Sequence, residues 1–396
     1  MYKILFFIFI ILLFVSKNTI FLLGIASNEG GHLMRILPAC YLIIIYVFIN
    51  IRKIEWSNLK YPIYTLFFMI FVLVFNKQTG RDIDFSMYIN SLILPLFLSF
   101  VLLGQVNEDT ELSFKTRKLI IAFFVIECSL AIIERIIGYN LFPFVLQQDF
   151  QVEDSLFRSS ALYGHALSNA LIVCIIWSFI LFSNMQLEKK MKYVALGFLA
   201  LLCFNTRFAI VASLLLFVVY ICYYFKSVKN VKIKRRFILY IVSIGIVSIF
   251  IFFAFGWGGR LLEMGLYDIS SASVRTDLFK IFNYFDISNF LFGIPAEEVQ
   301  FIKEYSGIGS LIIENYWLIY LFRFGLYFLI ILTFLYILVF KRMLEGYNRF
   351  ITISISFFFV LVSSSNNSLD TGDPYIAIFF LCCYAFRQIK PYNKIK

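Results

Sequence analysis

The sequence predicts an all-α, polytopic integral membrane protein. Three observations predict it. Of the 396 residues 61% are hydrophobic and 15% are charged, where an ordinary soluble domain is about 45–50% apolar and about 25% charged. Phenylalanine alone occurs 50 times. Apolar runs of membrane-crossing length recur from one end of the chain to the other. A water-facing fold cannot hide that much hydrocarbon, so the composition excludes a cytosolic enzyme, a disordered chain and a secreted disulfide scaffold.

A helix crossing ~30 Å of hydrocarbon needs about 20 residues. Twelve stretches qualify as candidate spans: 4–24, 33–51, 61–76, 86–104, 118–137, 161–183, 192–206, 208–225, 237–255, 314–340, 348–363 and 374–389. Residues 61–76, 192–206 and 348–363 are short. Runs 192–206 and 208–225 are separated by Arg207 alone. Residues 1–15 imitate a signal peptide, but no small-residue cleavage site follows Lys3 and its apolar run, so they read as a retained first helix. The chain reads as one transmembrane domain, 1–396, with a large loop over 256–313 before the tenth span.

The connectors fix an orientation. Of 35 Lys and Arg, 23 fall in one alternating set, including the run from Lys226 to Arg236. Positive residues stay cytoplasmic, which places both termini inside. The other set holds eight arginines (Arg35, Arg81, Arg135, Arg158, Arg207, Arg260, Arg275 and Arg323) and four lysines. A guanidinium is a planar fork suited to phosphate. Arginine enriched against the positive-inside gradient therefore points to an outward-facing anion site, with snorkelling and ordinary ion pairs as the alternative. The net charge of +11 is thus a matter of membrane sidedness and does not imply nucleic acid.

Metal and disulfide chemistry find little support. The seven cysteines lie in apolar runs without CxxC spacing, and two histidines, His32 and His165, cannot build a zinc cluster. No metal and no cofactor is expected.

Three outer segments carry the polar residues. In 256–313, SSASVRTDLFKIFNYF reads as a short amphipathic helix, with Ser273 a candidate N-cap and Asp277 in its first turn. Pro295 with Glu297 and Glu298 marks a second helix start. Residues 138–169 run through LFRSSALYGHALSNAL into span six, and LCFNTRFAIV places Asn205, Thr206 and Arg207 between two apolar runs. Glu127 and Arg323 fall deep within their spans, where a lone charge needs a partner. Pairing the two would fix span ten beneath the site; alternatively, Arg323 lines the cavity.

In order and spacing, FRSSALYGHALSNAL, NTRFA, SVRTDLFK with LFGIP, and ENYWLIYLFRFGL resemble the O-antigen polymerase and O-antigen ligase superfamily of bacterial envelope glycosyltransferases, over roughly residues 155–340. The resemblance implies a GT-C-like helical fold of about 12 transmembrane helices in the bacterial cytoplasmic membrane, with its active face periplasmic or extracellular. It implies a glycan donor and acceptor linked to undecaprenyl pyrophosphate, surrounding membrane lipid, and room for a chain-length regulator protein as partner. Carried over by position, Arg207 and Arg275 match the family's pyrophosphate-binding arginines. ENYWL occupies the place where many members have His-Asn: Glu314 replaces the histidine while Asn315 remains.

Transfer from a lipid pyrophosphate requires a stabilised leaving diphosphate, a deprotonated acceptor hydroxyl and alignment of both. Arg207, Arg275 and Arg158 suit the first task, with Asn315 and Arg323 as further substrate contacts. Glu314 suits the second, and His165 is its rival; a first-turn acid and a helix-end histidine are the structural alternatives. The expected function is polymerisation of lipid-linked repeats into O-antigen or capsular polysaccharide. A ligase moving finished glycan to an acceptor, and a flippase for the same substrate, are the competing functions. A flippase would often show inverted repeats and broken midplane helices, which the sequence lacks.

Overall fold

The computed structural model describes residues 2–25, 32–79, 85–104, 110–144, 157–257, 259, 278–307, 313 and 315–387. Among them the chain is helical and no β-strand occurs. The helices are α1 Tyr2–Leu13, α2 Lys17–Leu22, α3 Pro38–Asn50, α4 Lys60–Gln78, α5 Phe85–Tyr88, α6 Leu94–Leu103, α7 Thr110–Ile137, α8 Ala166–Phe182, α9 Leu187–Phe204, α10 Arg207–Ser227, α11 Val231–Ala254, α12 Ile287–Phe292, α13 Ala296–Tyr305, α14 Tyr316–Met343, α15 Arg349–Ser363 and α16 Tyr375–Ala385. Every one of the twelve apolar runs contains a helix. Among the described residues, five stretches are long and apolar enough to cross a membrane: Trp56–Gln78, Phe85–Leu103, Arg207–Ser227, Val231–Ala254 and Tyr316–Met343. Several shorter apolar helices accompany them, as suits a membrane-embedded chain.

The polar residues inside the runs decide where helices stop. Ser16 splits the first run: its side chain caps α2 by accepting the Thr19 N–H at 3.0 Å. Asn205 takes the left-handed conformation at φ 53° and ends α9, so α9 and α10 are two helices joined by a tight turn at Asn205 and Thr206. Asn230 caps α11 through the amides of Lys232 and Ile233. The Pro295 signal holds, with α13 starting at Ala296 and Glu297 and Glu298 in its first turn. The amphipathic segment is a 3₁₀ turn over Leu278–Tyr284; its expected start at Ser273 and Asp277 lies outside the described residues.

The contacts divide the chain into two compact units. Unit 1 comprises Met1–Asn107, Met264–Met343 and Ser363–Phe380. Here α14 is bent at Gly325, whose φ of 77° and ψ of 165° interrupt the helix. A bend leaves carbonyls without their helical donors, and the loop after α12 supplies one: the Ile294 N–H donates to the Phe322 carbonyl at 2.7 Å. The approach is so close that a Cβ on Gly293 would lie 2.7 Å from the Arg323 carbonyl, and one on Gly325 would strike the Leu291 carbonyl. Leu278, Ile281, Ile294, Ile302 and Phe322 bury together around this crossing. Between α5 and α6 a π-helical turn, Ile89–Ile93, carries buried Asn90. Asn90 accepts the Leu37 N–H at 2.9 Å and donates to the Arg35 carbonyl at 3.1 Å.

Unit 2 comprises Glu108–Glu263, Leu344–Val362 and Leu381–Lys396. Its centre is α8, apolar all round and buried along nearly its whole length, as a helix without a solvent face must be. The Trp177 indole N–H finds the Val194 carbonyl of α9 at 3.0 Å, so this large buried ring leaves no donor unpaired.

Candidate functional site

Unit 2 brings three of the expected site residues to one end of α7. The segment before α8 is tied down by a carboxylate: fully buried Glu134, in the last turn of α7, accepts the backbone N–H groups of Ser160 and Ala161 at 2.8 Å each and of Leu141 at 2.8 Å. A carboxylate gathering several amide donors makes strong charge-assisted bonds. Ser159 Oγ donates to the Ala131 carbonyl at 2.7 Å. The Asn169 side chain donates to the Ser160 and His165 carbonyls and accepts the Tyr163 N–H. Arg135 donates to the Phe157 carbonyl at 2.8 Å and the Gly256 carbonyl at 3.1 Å. The loop 157–165 is therefore fixed from α7 on one side and α8 on the other.

This loop presents Arg158 to the end of α9. The Ser159 N–H donates to the Cys203 carbonyl at 3.2 Å, and Arg158 Nε donates to the Phe204 carbonyl at 3.3 Å. Three residues on, Arg207 opens α10. Both arginines are half-buried. Between Phe204 and Arg207 lies Thr206, 5% exposed, whose hydroxyl has no hydrogen-bond partner among the described residues. His165 precedes α8, half-buried, its ring against Phe144 at 5.8 Å between centroids and within the electrostatic reach of Arg158.

An apolar groove begins one turn from Arg207. It encloses about 420 Å³ and is lined by Trp177, Phe198, Leu202, Ile210, Leu214 and Phe217 among others from α8 to α11. Unit 2 thus carries half-buried cations and an adjoining apolar channel.

Asn315 and Arg323 belong to unit 1. Asn315 is the cap of α14: its side chain accepts the Trp317 N–H at 2.9 Å. Arg323 sits two residues before the Gly325 bend and donates from Nη1 to Asp370 at 2.8 Å and to the Tyr88 hydroxyl at 3.0 Å. The partner of Arg323 is Asp370, which corrects the expected pairing with Glu127. Glu127 is buried in unit 2 on the face of α7 that also carries Glu134. Arg275 and Glu314 lie outside the described residues.

The sequence reading missed the polar turn 364–373. It docks along one face of α14: Trp317 donates to Ser364 at 2.8 Å, Tyr320 to the Leu369 carbonyl at 2.9 Å, and Arg323 to Asp370. Spacings of three residues on α14 were the available signal. In the same turn Asp373 accepts the Lys17 N–H at 3.1 Å and the Tyr375 hydroxyl at 3.1 Å. Burial raises the Asp373 carboxyl above its ordinary range, against those bonds. Among the described residues no group of His, Cys, Asp and Glu could hold a metal ion.

No family model, no curated protein and no solved structure matches the chain.

Proposed function

We propose that the chain is a membrane glycosyltransferase that polymerises undecaprenyl-pyrophosphate-linked repeat units into a surface polysaccharide on the outer face of the bacterial cytoplasmic membrane. One observation carries the reading: within unit 2, half-buried Arg158 reaches the Phe204 carbonyl at the end of α9, three residues before half-buried Arg207, and an apolar groove starts one turn away. A diphosphate headgroup with an isoprenoid tail has that same division into anion and hydrocarbon.

The chemistry follows from the residues. The acceptor hydroxyl attacks the anomeric carbon, a new glycosidic bond forms, and undecaprenyl pyrophosphate leaves with the electrons of the broken C–O bond. Negative charge grows on the diphosphate, where fixed guanidiniums act most strongly because the loop holding Arg158 is already ordered. The acceptor proton needs a base. The resemblance offers Glu314 for that role, and His165, beside Arg158, is its rival. Displacement in one step inverts the anomeric centre. Arg275 joins the cation set by the same resemblance.

Gene deletion with analysis of surface glycan length tests the proposal. Loss of a polymerase leaves a single repeat on its acceptor. Long chains retained on undecaprenyl carrier indicate a ligase instead, and repeats trapped inside the cell indicate a flippase.

A further inference from the structure

α11 is a loosely enclosed helix. Phe237, near its start, is its only buried residue, and packs on the rings of Tyr220, Tyr224 and Phe225 of α10. Beyond that anchor, α10 and α11 both line the apolar groove. Each contributes a stripe at helical spacing, α10 from Ile210 to Ile221 and α11 through Ile241, Gly245, Ser248 and Phe252. Two small residues thus stand in the middle of the α11 stripe. Unlike Gly293 and Gly325, Gly245 meets no neighbour: nothing lies within 4 Å of the place its Cβ would take, and it sits in regular helix. A glycine inside a helix destabilises it relative to alanine. Neither backbone geometry nor close packing calls for glycine here, and what it provides is room.

The room suits hydrocarbon. Apart from Ser248 the lining is aliphatic and aromatic, and the Trp177 indole N–H is already bonded to Val194, so little there holds water. Leu214 and Ile249 line the groove and are also exposed. On two helices of membrane-crossing length, the slot therefore opens sideways to lipid.

Depth selects the chain. Ile221 lies 14 residues beyond Arg207 on α10, ~21 Å at 1.5 Å per residue. An acyl chain of the outer leaflet ends near the midplane, ~15 Å into a hydrocarbon layer of ~30 Å. Filling the slot from the Arg207 end therefore takes a chain longer than one leaflet is deep. Gly245 lies nine residues from the end of α11 at Ala254, ~14 Å by the same rise, about where the shorter chain would stop.

We propose that the slot between α10 and α11 takes up the polyisoprenoid chain of the carrier lipid lengthwise from the bilayer, and that Gly245 and Ser248 make it a selector for chains longer than one leaflet. The inference deepens the glycosyltransferase reading and rests on it for the headgroup.

The test uses the full chain purified in a neutral detergent, with undecaprenyl phosphate and farnesyl phosphate as probes that share a headgroup, and native mass spectrometry as readout. The wild type should bind the long chain on the order of 10-fold more tightly, since the slot exchanges loose micelle contacts for close-packed ones. Gly245→Phe should erase that preference by weakening undecaprenyl phosphate alone, and Ser248→Phe, one turn nearer the outer end, should do the same. Ile246→Phe, at an exposed side chain outside the lining, should leave both affinities unchanged. Equal wild-type affinities for the two probes overturn the proposal, as does an undiminished preference in G245F or, should that variant fail to fold, in S248F. Displacement of undecaprenyl phosphate by an equal concentration of dioleoyl phosphatidylglycerol also overturns it, assigning the slot to phospholipid. A wild type that shows the preference but builds no glycan ladder keeps the slot and loses the glycosyltransferase reading; a ladder without the preference does the reverse.

Discussion

Arg323 and Asp370 meet at 2.8 Å beside the Gly325 bend, with the Tyr88 hydroxyl 3.0 Å from the same guanidinium nitrogen. The carboxylate side chain is 8% exposed and the guanidinium 31%. Removing one member of such a pair leaves the other poorly solvated. Asp370→Asn should lower stability by about 2 kcal/mol, the worth of a hydrogen bond to a charged group. The R323D/D370R exchange should be more stable than either single change. Thermal unfolding in detergent measures both, and an exchange no better than its worse single change would remove the pair from the account.

The Glu134 carboxylate organises three backbone amides. Glutamine keeps one acceptor oxygen and turns donors toward donors. Glu134→Gln is therefore expected to cost about 2–3 kcal/mol and to raise amide exchange at Ser160 and Ala161 before the rest of α7 and α8. Hydrogen exchange resolves the two. Protection at Ser160 equal to wild type would show that the loop is held otherwise.

Two glycines separate conformational need from open space. Gly325 combines φ 77° with the Leu291 carbonyl where a Cβ would stand, so Gly325→Ala should cost at least about 2 kcal/mol. Gly245 lies within α11 with nothing near its missing Cβ, and Gly245→Ala should be neutral or stabilising by about 0.5–1 kcal/mol. Unfolding temperatures of the two variants should move in opposite directions.

Lys190 supplies a pH signature. It precedes the run 192–206, is 7% exposed, and donates to the Tyr220 hydroxyl at 3.1 Å. Burial pushes its ammonium down to about 8. A lysine whose folded value is depressed contributes stability that is complete above the unfolded value, ~10.4, and lost as pH falls through the folded one. At pH 7 the charged form is a burden. Lys190→Met should gain about 2 kcal/mol there, after about 1 kcal/mol for the lost Tyr220 bond, and the gain should vanish near pH 10. A gain independent of pH would refute this origin.

Much of the helix plan was legible because apolar runs and their breakers act locally. Arg207 marked the division of α9 from α10, and Asn205 supplies the left-handed turn that completes it. Ser16 escaped attention because one capping hydroxyl hardly dents an apolar run. Gly325 also escaped: its bend depends on Ile294, distant in sequence, offering an amide to Phe322. The cations Arg158 and Arg207 stood out by rarity. Glu134 and Asp370 did not, since a carboxylate that serves backbone amides or a remote arginine looks, in sequence, like any surface acid. The Glu127–Arg323 expectation failed for the same reason: depth argues that a partner is needed but does not choose it.

The most direct test of the central claim is polymer formation in vitro from the purified chain and its lipid-linked repeat, read as a ladder of glycan lengths with release of undecaprenyl pyrophosphate. The wild type should build the ladder. Arg158→Lys and Arg207→Lys, which keep charge and lose the fork, should each slow it on the order of 10²-fold, as loss of one transition-state donor does, while thermal unfolding stays near wild type. A full ladder at wild-type rate from the R158K/R207K variant would contradict the assignment of these arginines to the diphosphate.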